Sequence, residues 1–174
     1  VNQPLLDPKH LYTHPVTKSD CVSIADDYGY ASAEGDGATA ASAGDLSVSE
    51  ANGDSAKSAS AGNGATSIAR GYAARSSAAG DFAKAHTEDD FSMASVAGDH
   101  GSALSSGECS IAMAAGVGCK VQAGERGVFA TCYYAPGNVL RILVGYVGEN
   151  GIKADTPYRI IVDREGNATW READ

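Results

Sequence analysis

From Asp26 to Gly124 the chain can be cut every nine residues without a gap, and the pieces align: DDYGYASAE, GDGATAASA, GDLSVSEAN, GDSAKSASA, GNGATSIAR, GYAARSSAA, GDFAKAHTE, DDFSMASVA, GDHGSALSS, GECSIAMAA and GVGCKVQAG. A short fixed period is the signature of stacked architectures, in which each unit buries itself only against its neighbours. Position 1 is Gly in nine of the eleven units, and position 2 is usually Asp. Positions 4, 6 and 8 are Gly, Ala or Ser at 29 of 33 places, the exceptions being Thr87, Val96, Cys119 and Val121. Positions 3, 5, 7 and 9 vary freely, from Tyr30 and Phe82 to Lys84 and Arg75. Alternation with period two marks a strand with one constrained face. Here that face is inward and admits only tiny side chains. The Gly-Asp pair makes the corner, Gly supplying φ > 0 and Asp closing the turn through its carboxylate.

Position 9 sets the size of the coil. It is Ala in alternate units (Ala43, Ala61, Ala79, Ala97, Ala115) and Glu34, Asn52, Arg70, Glu88 or Ser106 in the units between. The structural period is therefore eighteen residues, two strands and two corners per turn. The expected fold is all-β: a parallel β-solenoid, a flat two-sheet β-roll at residues 26–124. Strands stack roughly 4.8 Å apart, so five to six turns make a rod roughly 25–30 Å long. Ala and Ser bury little apolar area, which leaves backbone ladders and close dispersion contacts to carry much of the stability. Buried hydroxyls such as Ser47, Ser49, Ser58 and Ser67 then need acceptors.

A solenoid must also end, because its last turns would expose unpaired edges. Residues 1–25 are expected to cap one end, with Leu5, Leu6, Leu11 and Tyr12 as cover and 17–25 as a degenerate first unit. That unit places the larger Val22 and Ile24 inward. Residues 125–174 change character, with apolar strands at 128–134, 139–147, 158–163 and 168–171 separated by turns at 136–138, 149–151 and 164–167. They are expected to form a small antiparallel β-meander packing on the last coil as a C-terminal cap.

The charge is unevenly placed. Residues 26–115 hold 13 acidic and 4 basic residues, the whole of the net −9, while both flanks balance. Without a concentration of Lys and Arg, direct binding to nucleic acid or an anionic membrane is not expected. Cys21, Cys109, Cys119 and Cys132 have no metal-ligand spacing, so a structural zinc site is not expected and free thiols fit a reducing compartment. No apolar run is long enough to span a membrane and no signal peptide is visible. The expected location is the cytoplasm of a bacterial host cell, with the virion as the alternative.

The repeat style GD-x-[S/A]-x-[S/A]-x-A, with the closing stretch Gly151-Ile-Lys-Ala-Asp-Thr-Pro-Tyr158, resembles phage and prophage proteins that carry tandem GD-x-S-S-A-S-A nonapeptides and a short β-rich tail. The resemblance covers roughly residues 26–174. It implies the architecture and a phage or mobile-element origin, and brings no catalytic residues with it. The calcium-binding RTX β-roll is a weaker likeness, since its Gly-Gly-x-Gly-x-Asp corner is missing. Trimeric autotransporter adhesin heads share the small-residue strands but use a longer repeat.

Two kinds of site stand out from the repeat. The corner acids stack in two rows, Asp36, Asp54, Asp90 and Glu108 along one edge and Asp27, Asp45, Asp81 and Asp99 along the other. Like charges this close repel unless a cation or backbone N–H groups compensate; a calcium ladder is the functional reading and solvated turns the plain one, so no cofactor is expected. One broad face grows apolar toward its C-terminal end, where Phe91, Met93, Cys109, Ile111 and Met113 form a partner or oligomer face. The opposite face carries Tyr28, Tyr30, Leu46, Val48, Ile68, Phe82, His86, His100 and Leu104, and reads as ordinary surface. His86 and His100 form neither a Ser-His-Asp array nor a metal triad, and no enzyme is expected. The leading expectation is a non-enzymatic protein that binds another protein through a solenoid face, by a protein partner or by self-association as dimer or trimer. The alternatives are a spike- or fibre-like structural component, and an acidic nucleic-acid mimic that inhibits a host defence system of the CRISPR or restriction type.

Overall fold

A computed structural model describes residues 21–173, and every element in it is a β-strand. Twelve short strands wind six turns: β1 (Cys21–Ile24), β2 (Tyr30–Glu34), β3 (Thr39–Ala43), β4 (Val48–Asn52), β5 (Lys57–Ala61), β6 (Thr66–Arg70), β7 (Arg75–Ala79), β8 (Lys84–Thr87), β9 (Met93–Ala97), β10 (Ser102–Ser105), β11 (Ile111–Val117) and β12 (Lys120–Gln122). Odd-numbered strands form the first sheet and even-numbered strands the second. Pairing within each sheet is parallel at a register of eighteen, as in Thr39↔Lys57↔Arg75 and Val48↔Thr66↔Lys84. The expected two-sheet β-solenoid is the fold. The N-terminal cover at Leu5, Leu6, Leu11 and Tyr12 lies outside the described residues. Cys21–Ile24 is a true first rung, aligned with Thr39–Ser42.

The small side chains at positions 4, 6 and 8 are buried and those at 5 and 7 are not, so the strand alternation holds along the rod. Hydroxyls in this core satisfy one another across the two sheets: Ser49 meets Ser58 at 2.7 Å, Ser76 donates to the Ser67 carbonyl at 2.7 Å, and Thr87, Ser92 and Ser105 form a triangle. Partnered polar groups of this kind are what a buried hydroxyl requires. Volume is matched across the core as well. Where position 8 carries Ile24 or Val96, position 4 of the next unit is Gly29 or Gly101, and a Cβ on either glycine would fall on the larger side chain.

The corners differ from expectation in an instructive way. Position-1 glycines adopt φ from 117° to 138° over most of the rod. A Cβ at Gly53 would lie on the Gly35 carbonyl one coil back, so close approach demands glycine as much as φ does. The turn itself is closed by the position-4 N–H donating to the position-1 carbonyl, as Ala38 does to Gly35 at 2.9 Å. Its third residue then takes a positive φ, as in a type II turn. Non-glycine residues accept that conformation in eight units, Tyr28, Leu46, Phe82 and Phe91 among them, at φ of 55–60°. The Asp carboxylate does not close its own turn. Its Oδ1 reaches forward and accepts the N–H of position 2 in the next coil, from Asp27 to Asp45 at 2.9 Å and from Asp81 to Asp99 at 2.9 Å.

The C-terminal segment does cap the last coil with antiparallel strands, but these divide between the two sheets and do not run on as one meander. β13 (Val128–Ala135) adds one more parallel strand to the first sheet, after a bulge in β11 between Ala114 and Val117. β14 (Val139–Tyr146) turns back antiparallel on it. β15 (Tyr158–Val162) and β16 (Ala168–Glu172) instead extend the second sheet, antiparallel from β12. Each open edge of the last coil thus receives its own hairpin, and β14 and β16 become the terminal strands of two eight-stranded sheets. The fork is plugged by large side chains. Phe129 is fully buried, stacked on Tyr158 at 5.5 Å and met edge-on by Trp170 at 4.8 Å.

Candidate functional site: the outer face of the first sheet

The two outer faces of the rod are chemically unlike. On the second sheet the side chains bond to one another. The Tyr30 hydroxyl donates to Glu50 at 2.6 Å, Arg70 pairs with Glu50, and its Nε donates to Glu88 at 2.9 Å. The hydrogen bond from Tyr30 is the main reason the Glu50 carboxyl sits below the usual carboxylate range. The same bond raises the Tyr30 phenol. His86 Nε2 lies 3.4 Å from Glu88, while His100 stacks on Phe82 at 5.4 Å. The two histidines are thus engaged separately, one by a carboxylate and the other by a ring.

The first sheet has no such network at its C-terminal end. Met93, Ile111 and Val128 are successive neighbours on adjacent strands, as are Ser95, Met113 and Ala130. Met93 and Met113 are 37% and 48% exposed. Phe91 and Cys109, expected on the same face, lie instead on the corner that precedes it, with Phe91 tilted against Tyr72 at 5.4 Å. The face continues onto β13 and β14. Ala130, Cys132 and Tyr134 pair with Val144, Ile142 and Leu140, and Tyr134, Leu140, Ile142 and Val144 are all exposed.

Between this extension and the rod runs an apolar groove of about 540 Å³. The alanine column Ala79, Ala97 and Ala115 lines it, together with Met113, Cys132 and Ile142. Its polar groups are serine hydroxyls: Ser77 and Ser95 bond to each other at 3.0 Å, and the buried hydroxyl of Ser60 has no partner among the described residues. The alternation of position 9 foreshadows the alanine column. The strand at 139–147 was legible too, but not its place beyond β13 on the rim of this face.

The corner acids have a structural duty. Asp36, Asp54 and Asp90 along one edge, and Asp27, Asp45, Asp81 and Asp99 along the other, each accept a backbone N–H from the following coil at 2.8–3.3 Å. Glu108 ends its row in an ion pair with Arg126. N–H groups therefore supply the compensation that stacked carboxylates need. Among the described residues no group of three His, Cys, Asp or Glu side chains is arranged to hold a metal ion. The four cysteines are free thiols, and burial is the main cause raising the Cys119 thiol. No family model, curated protein or solved structure matches the chain.

Proposed function

We propose that this chain is a non-enzymatic protein-binding module of phage or mobile-element type, and that its partner docks on the outer face of the first sheet. The observation that carries the reading is the contrast between the faces. One face links Tyr30, Glu50, Arg70 and Glu88 to one another, whereas the other ends in an exposed cluster of Met93, Met113, Leu140 and Ile142 beside an apolar groove. Contiguous exposed apolar surface of this kind marks interaction sites on soluble proteins. Alanine along the groove lets another backbone approach closely, and methionine adapts its shape to what it meets. The acidic-mimic reading draws less support, because the regular spacing of the acids is accounted for by the corners they hold together.

The test is affinity capture from bacterial host extract combined with light scattering, on the unaltered chain and on Met113→Glu. Burying a charge in such an interface is costly. The expected result is a protein, either another chain or a further copy, held by the unaltered chain and lost from a Met113→Glu variant whose melting temperature is unchanged. Recovery of no protein by either form, with both monomeric, overturns the reading.

A further inference from the structure

We infer that the partner of this face is a foreign protein that presents a carboxylate among apolar side chains, and that Lys57 and Arg75 receive it. The inference rests on the protein-binding reading above and names the partner's chemistry. Among the described residues, the outward positions of the first sheet carry two charged side chains, Lys57 on β5 and Arg75 on β7. Arg141 of β14 pairs with Tyr133 and so lies on the other side from the Cys132–Ile142 pair that lines the groove. Lys57 and Arg75 are both exposed and both positive, in a chain whose net charge is −9.

The two stand in direct register on neighbouring parallel strands, about 4.8 Å apart across the sheet. Like charges so placed repel one another. Neither enters an ion pair among the described residues. The corner acid that precedes Lys57, Asp54, is engaged with the Tyr72 N–H of the next coil. Arg70 on the other sheet is the contrast, since Glu50 and Glu88 both meet it.

The pair sits at the head of the groove. With Thr39, Ala59 and Ser77 it borders a hollow of about 200 Å³, and Ala59 and Ser77 also line the apolar groove. The two form one trough, charged at β5 and β7 and apolar toward Met113 and Ile142. A carboxylate accepts charge-assisted hydrogen bonds from ammonium and guanidinium groups, and apolar residues beside it fill the rest of the trough.

Charge also decides among occupants. A second copy laid face to face offers the pair only the same two cations. A copy that offered its acidic corner would join unlike surfaces, which runs on into open fibres. Residues 1–20 carry Asp7 and Asp20, each two residues from a lysine, Lys9 and Lys18, so neither carboxylate arrives without a cation. A nucleic acid or anionic membrane needs more than two cations and meets the aspartate rows on both edges. A protein segment with one carboxylate among apolar residues meets none of these obstacles.

Random peptides displayed on phage and selected on the full chain test this. The selected sequences should be enriched in Asp or Glu beside Leu, Ile, Met or Phe. Synthetic copies should bind Lys57→Gln with Arg75→Gln about tenfold or more weakly, and an equal loss should follow when the peptide's acid is changed to its amide. Lys57→Glu with Arg75→Glu should instead select peptides that carry Lys or Arg, a gain that a folding defect cannot imitate. Recovery of no peptide, peptides without an acid, or binding that ignores both double variants overturns the inference. So does a chain that grows into fibres with concentration in light scattering. Acid-free peptides whose binding Met113→Glu still abolishes leave the protein-binding reading standing. No peptide, together with an empty capture from extract, removes both.

Discussion

A methyl group added at Gly101 would be placed on Cγ1 of Val96, and one added at Gly29 would meet Cγ2 of Ile24 at 2.7 Å. These glycines are not there for the turn; neither has a positive φ. They are there because Ile24 and Val96 occupy the space that a Cβ would fill in this close-packed core. Gly101→Ala is therefore expected to destabilise the fold by about 1–3 kcal/mol, as overpacking does. Adding Val96→Ala should recover much of that loss, because it vacates the same volume. Thermal melts of the two single variants and the double variant check this; additive losses would mean that the two sites do not share space. The sequence alone displayed Val96 as an exception and Gly101 as conforming to the small-residue rule. Their coupling was hidden because it links position 8 of one unit to position 4 of the next.

At the scale of the strand, the second sheet carries a polar network that bridges coils. Tyr30 on β2 reaches Glu50 on β4, which pairs with Arg70 on β6. The folded state lowers the Glu50 pKa, chiefly through the Tyr30 hydrogen bond. A carboxyl held below its unfolded value adds stability above that value and loses it as pH falls through the folded one. The melting temperature of the unaltered chain should then exceed that of Glu50→Gln near neutrality, and the gap should close as pH drops through and below the carboxylate range. A gap that stays constant with pH would rule out this contribution. The strands themselves were readable from the nine-residue period, and the four strands after residue 127 from their apolar runs and turns. Their pairing was not readable. Nothing local in 128–135 distinguishes a strand that joins β11 in parallel from one that starts a separate meander, because the choice is made by the open edge it meets. The apolar partner face was half legible for the same reason. Met93 and Ile111 share position 5 across coils and Met113 stands at position 7 of the same face, whereas Leu140 and Ile142 reach that face only through β13.

For the molecule as a whole, the register of eighteen makes the coil the unit of design. Removing residues 53–70 takes out one complete turn and returns each remaining strand to its own sheet. Removing only 53–61 passes every later strand to the opposite sheet relative to the first coils, and brings the Arg70 column beneath the alanine column. The first deletion should keep the circular dichroism spectrum and a single cooperative melt, as expected where stability adds coil by coil. The second should melt at a clearly lower temperature. Equal melting of the two would show that the nine-residue unit, and not the coil, is what the core recognises.

The corner carboxylates give this stack a direction. From Asp27 to Asp99 each one serves the coil that follows it in the chain, and among these contacts Asp89, which accepts the Gly71 N–H, is the case that points back. A coil emerging from the ribosome therefore finds its acceptors already in place on the coil made just before. Its own corner N–H groups, such as those of Gly44 and Leu46, then donate to carbonyls of the coil that follows. The rod can be laid down in the order in which it is translated, with each finished turn serving as the template for the next. The apolar hairpin of β13 and β14 is made only after the twelve strands of the rod, and the hairpin of β15 and β16 follows it.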